Sequence, residues 1–273
     1  MKVQMLVSTM KTKSINDLEL PKKNVKDAVI VNQFMPKEKI DKQGNYIMYS
    51  YNEKGVSKSR NRLLEHATGD IEVITDDDIT FFDDAIKNIE KAYEDDPSAD
   101  IIIFNLKRGN QILGSNKSFK YKKLALMSVC SCQITFRRKS IEDINLRFDE
   151  HFGIKAPFVC GEENIFLSDA YNKGLKIKHV PIVVNSHPEE ETTGEIWNEI
   201  GVVSRGALMY RLFPHTYFMY LWYFVITKHK YYKKNFTVRQ FIKLFNRGKR
   251  EYKALIKSEK RWLYGRFNHY SSV

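Results

Sequence analysis

The sequence predicts an open α/β sheet with a helical C-terminal extension, on three observations. Apolar β-branched runs that end in polar residues alternate with helical patterns, as when parallel strands deliver side chains to one sheet edge. One such run, residues 71–74, leads straight into three carboxylates, Asp76, Asp77 and Asp78. The C-terminal part reads differently: an unbroken apolar and aromatic run, YFMYLWYFVI at 217–226, precedes a basic segment interleaved with aromatics. At 273 residues, 42% hydrophobic and 29% charged, the chain has the content of one large folded domain or a domain with an appendage.

Residues 3–8 read as a first buried strand and 27–31 (DAVIV) as a second, with the polar pair Asn32 and Gln33 at its C-terminal end. Residues 46–51 alternate loosely as a third. In GVSKSRNRLLEHATGD, Ser57 can cap a helix that carries Leu63, Leu64 and Ala67 on one face and is closed by Gly69. That helix feeds the strand ending at Asp76. A helix over 82–92, a break at Asp95-Asp96-Pro97 and a strand over 100–106 follow. The polar, basic stretch 107–123 suits a loop or hairpin. Residues 162–172 read as a helix ended by Lys173 and Gly174, and 175–185 return as strand structure. No internal repeat or low-complexity linker interrupts this order.

The net charge of +12 is a property of the tail. From Lys228 onward there are fourteen Lys and Arg against two Glu, which leaves residues 1–227 with 31 basic and 31 acidic side chains. The three cysteines, Cys130, Cys132 and Cys160, lack a second close pair for a four-ligand zinc site. They read as reduced thiols, with Cys130-Ser131-Cys132 in strand core. The N-terminus has too short an apolar run for a signal peptide, so the expectation is a chain that is not exported.

Three adjacent carboxylates repel unless a cation or a set of donors holds them. Oxygen ligands in a row suit Mg2+ or Mn2+, with a substrate's phosphates completing the shell. The plainer alternative is an acidic turn in which Asp78 or Thr80 caps a helix.

GVSKSRNRLLEHATGDIEVITDDDI resembles the helix, strand and D-x-D segment of family 2 glycosyltransferases with the GT-A fold. Further on, FDEHFG followed by GEENIFLSDAYNKG resembles the same family's acceptor-side segment and "ED"-type helix start. The resemblance spans most of positions 3–187. It implies a Rossmann-like mixed sheet forming a catalytic domain over 1–204, its nucleotide-sugar half about 1–106 and its acceptor half about 107–204, with 205–273 as the helical extension.

The same resemblance assigns roles. Asp76 would sit near the ribose, Asp78 would bind the metal that bridges the diphosphate, and Asp77 would be adjacent. Ser8, Thr9, Asn32 and Gln33 would meet the base and ribose. Here the chain departs from the family's commonest pattern, an Asp after the second strand that contacts uracil, although a UDP-sugar remains the expected donor. Lys58 and Arg60 would reach phosphate, or else form a solvated helix start. Glu163 is the expected general base, with Glu162 orienting the acceptor sugar. The alternative is that both favour the following helix dipole. His187, in a strand-then-SHP arrangement, would complete the metal shell or serve as a hydrogen-bonded structural residue.

The run 217–226 is well short of the roughly 17 to 25 residues that span a bilayer as a helix. Aromatics beside lysines favour the water–lipid interface, and the basic segment favours anionic lipid. The alternative is a packed helix pair over 205–226. The resulting expectation is an inverting transferase, cytoplasmic and peripheral to the inner face of the cell membrane. It would move a sugar to a glycan or lipid-linked oligosaccharide in surface polysaccharide or capsule synthesis. A nucleic-acid binder using the basic tail would leave the triple Asp unexplained, so no nucleic-acid partner is expected. A nucleotidyltransferase would usually show a Gly-rich loop, and VSTMKTKS has no glycine.

Overall fold

The computed structural model describes residues 1–188 and 197–270, with side chains through Glu259. The chain forms two compact units, Met1–Glu150 with Glu162–Glu191, and His151–Gly161 with Thr192–Val273. The expected boundary at 204/205 falls inside a helix, so compactness divides the chain differently from the sequence pattern.

In the first unit the described strands are β1 (Val3–Met10), β2 (Ala28–Gln33), β3 (Lys39–Gln43), β4 (Tyr46–Ser50), β5 (Ile71–Asp76), β6 (Thr80–Phe81), β7 (Ile101–Arg108), β8 (Gln111–Leu113), β9 (Phe119–Lys120), β10 (Ile134–Arg137) and β11 (Ile177–His187). Its helices are α1 (Val56–His66), α2 (Ala85–Asp95), α3 (Arg138–Asp143) and α4 (Glu162–Asn172). The sheet order is β3-β4-β2-β1-β5-β10-β7-β11-β6, with β8 on β7 and β9 on β11. Strand β1 runs parallel to β2 and β5, and β7 runs parallel to β11. Strand β10 is antiparallel to both β5 and β7, which makes the sheet mixed while keeping those two strands parallel. The C-terminal ends of β1, β2, β5, β7 and β11 therefore share one edge, where ligands meet open α/β sheets.

The period-2 pattern of the central strands explains the layers. Met5, Val7, Ile30, Val73 and Phe104 pack with Ile89 and Tyr93 of α2 on one face. Leu6, Val29, Val31, Ile74 and Ile103 pack with Leu63 and Leu64 of α1 and Phe166 and Leu167 of α4 on the other. Both faces of the central strands are covered, so they read as nearly continuous apolar runs.

Several local expectations are corrected. The helix expected from Phe82 begins at Ala85, because Thr80 and Phe81 pair with β11 as β6. Gly55, at φ 114°, precedes α1, and Ser57 is buried inside its first turn. Cys130-Ser131-Cys132 is not strand core: residues Ser131–Gln133 form a 3₁₀ turn leading into β10.

The second unit contains α5 (Glu199–Leu212), α6 (Tyr217–Thr227), α7 (His229–Tyr232) and α8 (Val238–Tyr270). Helices α5 and α8 cross where glycines let the backbones touch. A Cβ on Gly206 would lie 2.0 Å from the Phe245 carbonyl oxygen, and one on Gly248 would lie 1.9 Å from that of Val203. The basic segment is therefore built into the helical packing and is not a detachable tail.

Candidate active site

Strand register brings the candidate residues together. Ser8 pairs with Asp76 across β1 and β5, and Thr9 pairs with Asn32 across β1 and β2. Ser59 of α1 donates to Ser8 Oγ at 3.0 Å. Thr9 donates to the Asp77 carboxylate and lies 2.8 Å from Thr12 Oγ1, while Lys23 Nζ donates to the Asp77 carbonyl at 2.5 Å. Asp77 is thereby held by β1 and by the 3₁₀ turn Leu20–Lys23 that follows it.

Asn32 and Gln33 are adjacent but differ in availability. Asn32 is fully buried: its Nδ2 donates to the Thr12 carbonyl at 2.7 Å and its Oδ1 accepts from the Thr12 amide at 3.1 Å. Its amide braces the loop after β1. Gln33 is 5% exposed, and among the described residues its Nε2 has no hydrogen-bond partner. The next residue, Phe34, has φ 61°, a costly conformation for a bulky side chain, with Lys11 Nζ 5.8 Å from its ring. Nothing in the sequence pattern marks Phe34 as an edge residue beyond its place after the polar strand end.

Arg60 does not reach outward for phosphate. It is 3% exposed, with NH1 2.9 Å from Glu162 Oε1 and NH2 3.6 Å from Asp76 Oδ1, and it lies 5.6 Å from the Phe148 ring. The reason is helical geometry: residue 60 lies on the face of α1 that carries Leu63 and Leu64 into the core. Burial works against its charge, but Asp76, Glu162 and Glu163 more than offset this and raise its pKa. Lys58, in contrast, is exposed and lies outside this ion-pair network.

Asp78, in the turn between β5 and β6, meets His187, the last residue of β11. His187 Nε2 lies 3.4 Å from Asp78 Oδ2, and the other ring nitrogen lies 2.6 Å from the Pro188 carbonyl. Asp78 Oδ1 is buried without a partner among the described residues. Burial raises the Asp78 carboxyl, opposed by His187 and reinforced by Asp76 and Asp77. Among the described residues no group of three or more His, Cys, Asp or Glu side chains is arranged to hold an ion. The pair would need outside ligands: a carboxylate with phosphate oxygens fits Mn2+ or Mg2+, and the imidazole nitrogen favours Mn2+ of the two.

Glu162 and Glu163 begin α4, so their backbone amides face an otherwise unsatisfied helix start. Glu162 is fixed by Arg60. Burial, then the neighbouring Glu162, pushes the Glu163 carboxyl well above the usual carboxylate range, with Arg60 opposing. A carboxylate raised in this way is suited to accepting a proton near neutral pH.

Two further side chains border the Asp76 end. The buried Cys132 thiol donates toward Asp76 Oδ2 at 3.6 Å, and burial keeps it protonated by raising its pKa well above the usual thiol value. Asn185 Nδ2 donates to the Cys132 carbonyl at 2.8 Å. Neither was marked by the sequence, where both read as ordinary strand interior.

A mixed sheet flanked by helices, with carboxylates gathered at the ends of its parallel strands, is the architecture of the GT-A fold. The profile of glycosyl transferase family 2 matches residues 26–173, more than half of the chain, and the chain belongs to that family. Among curated proteins, none matches the sequence. Solved structures similar to it include S. aureus TarS 1–349 with UDP-GlcNAc, at TM-score 0.58 and 16% identity, covering 77% of this chain and 66% of that one. The same fragment with UDP gives TM-score 0.58 at 14% identity, covering 88% and 77%. Without ligand it gives 0.53 at 15%, covering 84% and 77%. This chain thus spans just under two thirds of the TarS fragment in the first match and 40% of a longer TarS chain.

Proposed function

We propose that this glycosyltransferase is inverting and metal-dependent, and moves a sugar from a UDP-sugar to a glycan acceptor. The observation that carries the reading is the buried ion-pair chain through Arg60. It ties Asp76, on the donor edge, to Glu162, whose neighbour is the raised carboxyl of Glu163. Donor positioning and proton removal are thereby fixed in one rigid frame.

In this reading Ser8, Thr9 and Asp76 border the ribose, and the orphaned Gln33 Nε2 donates to a base carbonyl. That TarS binds UDP-GlcNAc and UDP supports uridine as the nucleoside. Asp78 and His187 would hold Mn2+ or Mg2+, which when bound supplies Lewis-acid stabilisation of the departing diphosphate. The acceptor oxygen forms its bond to the anomeric carbon as the bond to phosphate breaks on the opposite face, and Glu163 takes the hydroxyl proton. Glu162, pinned by Arg60, keeps Glu163 in place. The basic, aromatic C-terminal part supports a lipid-linked acceptor in surface polysaccharide synthesis, met at the inner face of the cell membrane.

Calorimetry and hydrolysis across a panel of nucleotide sugars, with manganese or with chelator, test the reading. UDP-sugars should bind and turn over only with manganese. Binding by no nucleotide sugar would overturn the donor assignment, and chelator-insensitive turnover would overturn the metal assignment.

A further inference from the structure

We infer that the outer face of α6, with the groove beside it, is a docking surface for an anionic lipid bilayer. The inference deepens the membrane placement proposed above, and its vesicle readout is separate from turnover. Helix α6 is anchored along one stripe. Tyr217, Leu221 and Val225 are buried, and the Tyr217 hydroxyl donates to the Phe245 carbonyl of α8 at 3.0 Å. That stripe satisfies the helix's packing, since α5 and α8 already close on each other through Gly206 and Gly248.

The opposite face remains in solvent although it is apolar: Phe218 is 67% exposed, Met219 68%, Trp222 42%, Tyr223 51% and Ile226 73%. Steps of three and four along a helix put these side chains on one continuous face. A contiguous exposed apolar patch marks an interaction surface. A groove of about 350 Å³ opens next to it, lined by Phe218, Leu221 and Trp222 of α6 and by Ile242, Asn246 and Lys249 of α8. Its walls suit a hydrocarbon chain, with an ammonium at hand for an anionic headgroup.

Charge selects the occupant. The chain from Lys228 onward carries fourteen Lys and Arg against two Glu, and Lys228 and Lys230 stand 5.9 and 4.8 Å from the ring of Tyr231 directly after α6. Aromatic rings with adjacent lysines sit at the level of lipid headgroups. A second copy would bring the same positive charge against itself. Nucleic acid would use the cations and rings but leave Met219 and Ile226 in water, whereas a bilayer covers the apolar face of α6. Among the described residues no helix is long and apolar enough to cross a membrane, so the attachment is interfacial.

The test is co-sedimentation of the full chain with phosphatidylcholine vesicles containing about 30% phosphatidylglycerol, and with pure phosphatidylcholine, at low and physiological salt. The comparison is a triple variant, Phe218→Ser, Trp222→Ser and Ile226→Ser, whose substitutions fall on exposed positions. The full chain should pellet with the anionic vesicles, less so at higher salt. The variant should bind about tenfold more weakly while keeping the same elution volume and the same turnover on a soluble acceptor. Equal binding by both proteins, or none by the wild type, would overturn the inference. So would a dimer, or binding of single-stranded RNA, that the triple variant abolishes in place of vesicle binding.

Discussion

Removing the Arg60 guanidinium while leaving its carboxylate partners in place is the perturbation whose size the structure fixes best. Arg60 is 3% exposed, and its partner Glu162 is 8% exposed at 2.9 Å. Taking away one member of a buried pair costs about 3–5 kcal/mol, because the survivor stays buried without its counter-charge. Arg60→Met should therefore destabilise the sheet unit by that amount. Glu162→Gln should cost less, since Asp76 still faces the guanidinium at 3.6 Å. The double variant removes both charges, so its cost should fall short of the sum by about 2 kcal/mol, the coupling expected of groups in direct contact. All three tryptophans lie at position 197 or beyond, so fluorescence follows the helical unit. Hydrogen exchange of the β1 and β5 amides follows the sheet unit instead. Additivity within about 0.5 kcal/mol would refute the claim that this ion pair organises the site.

Other outcomes follow from the same structure. Asp78→Asn should abolish manganese-dependent donor binding by calorimetry with little change in thermal stability, since a partnerless buried oxygen is replaced by an isosteric amide. Gln33→Leu should weaken donor binding by about 1–3 kcal/mol if its orphaned amide pairs with the base, measured by titration with UDP. Glu72 is buried in β5 and its carboxyl is pushed up to about 8 by burial. The folded state thus holds this proton more tightly than the unfolded one. Stability from it is complete below the ordinary Glu range and is lost as pH rises through about 8. Melting curves from pH 5 to about pH 9 should show that decline, and Glu72→Gln should flatten it.

The parallel half of the sheet was legible because short continuous apolar runs ending in Asp, Asn and Ser announce both a buried strand and its edge. Helix α4 was legible to the residue, since the acidic start and the Lys173-Gly174 stop agree. Strand β10 was not, because its four residues follow a turn and its place between β5 and β7 is set by long-range pairing. Arg60 was visible in the sequence as a basic residue near the site, but its burial was not. A guanidinium on a helix start reads as solvated or phosphate-facing, and only packing against Phe148 and the Asp76–Glu162 pair shows it to be buried. Residues 217–226 pack along one stripe and expose the other, a division that hydropathy alone cannot draw.

Glu163→Gln, assayed in one preparation for donor affinity and for turnover, isolates the proton transfer assigned to Glu163. A general base acts only after donor and acceptor are bound, so the variant should keep its affinity for a UDP-sugar and lose turnover by roughly 10² to 10⁴-fold. The wild-type rate should fall as pH is lowered through the raised Glu163 value, above the usual carboxylate range, because the base must be deprotonated to act. That inflection should vanish in the variant. Near-normal turnover by Glu163→Gln, or an unchanged pH profile, would contradict the account and move the base to another residue.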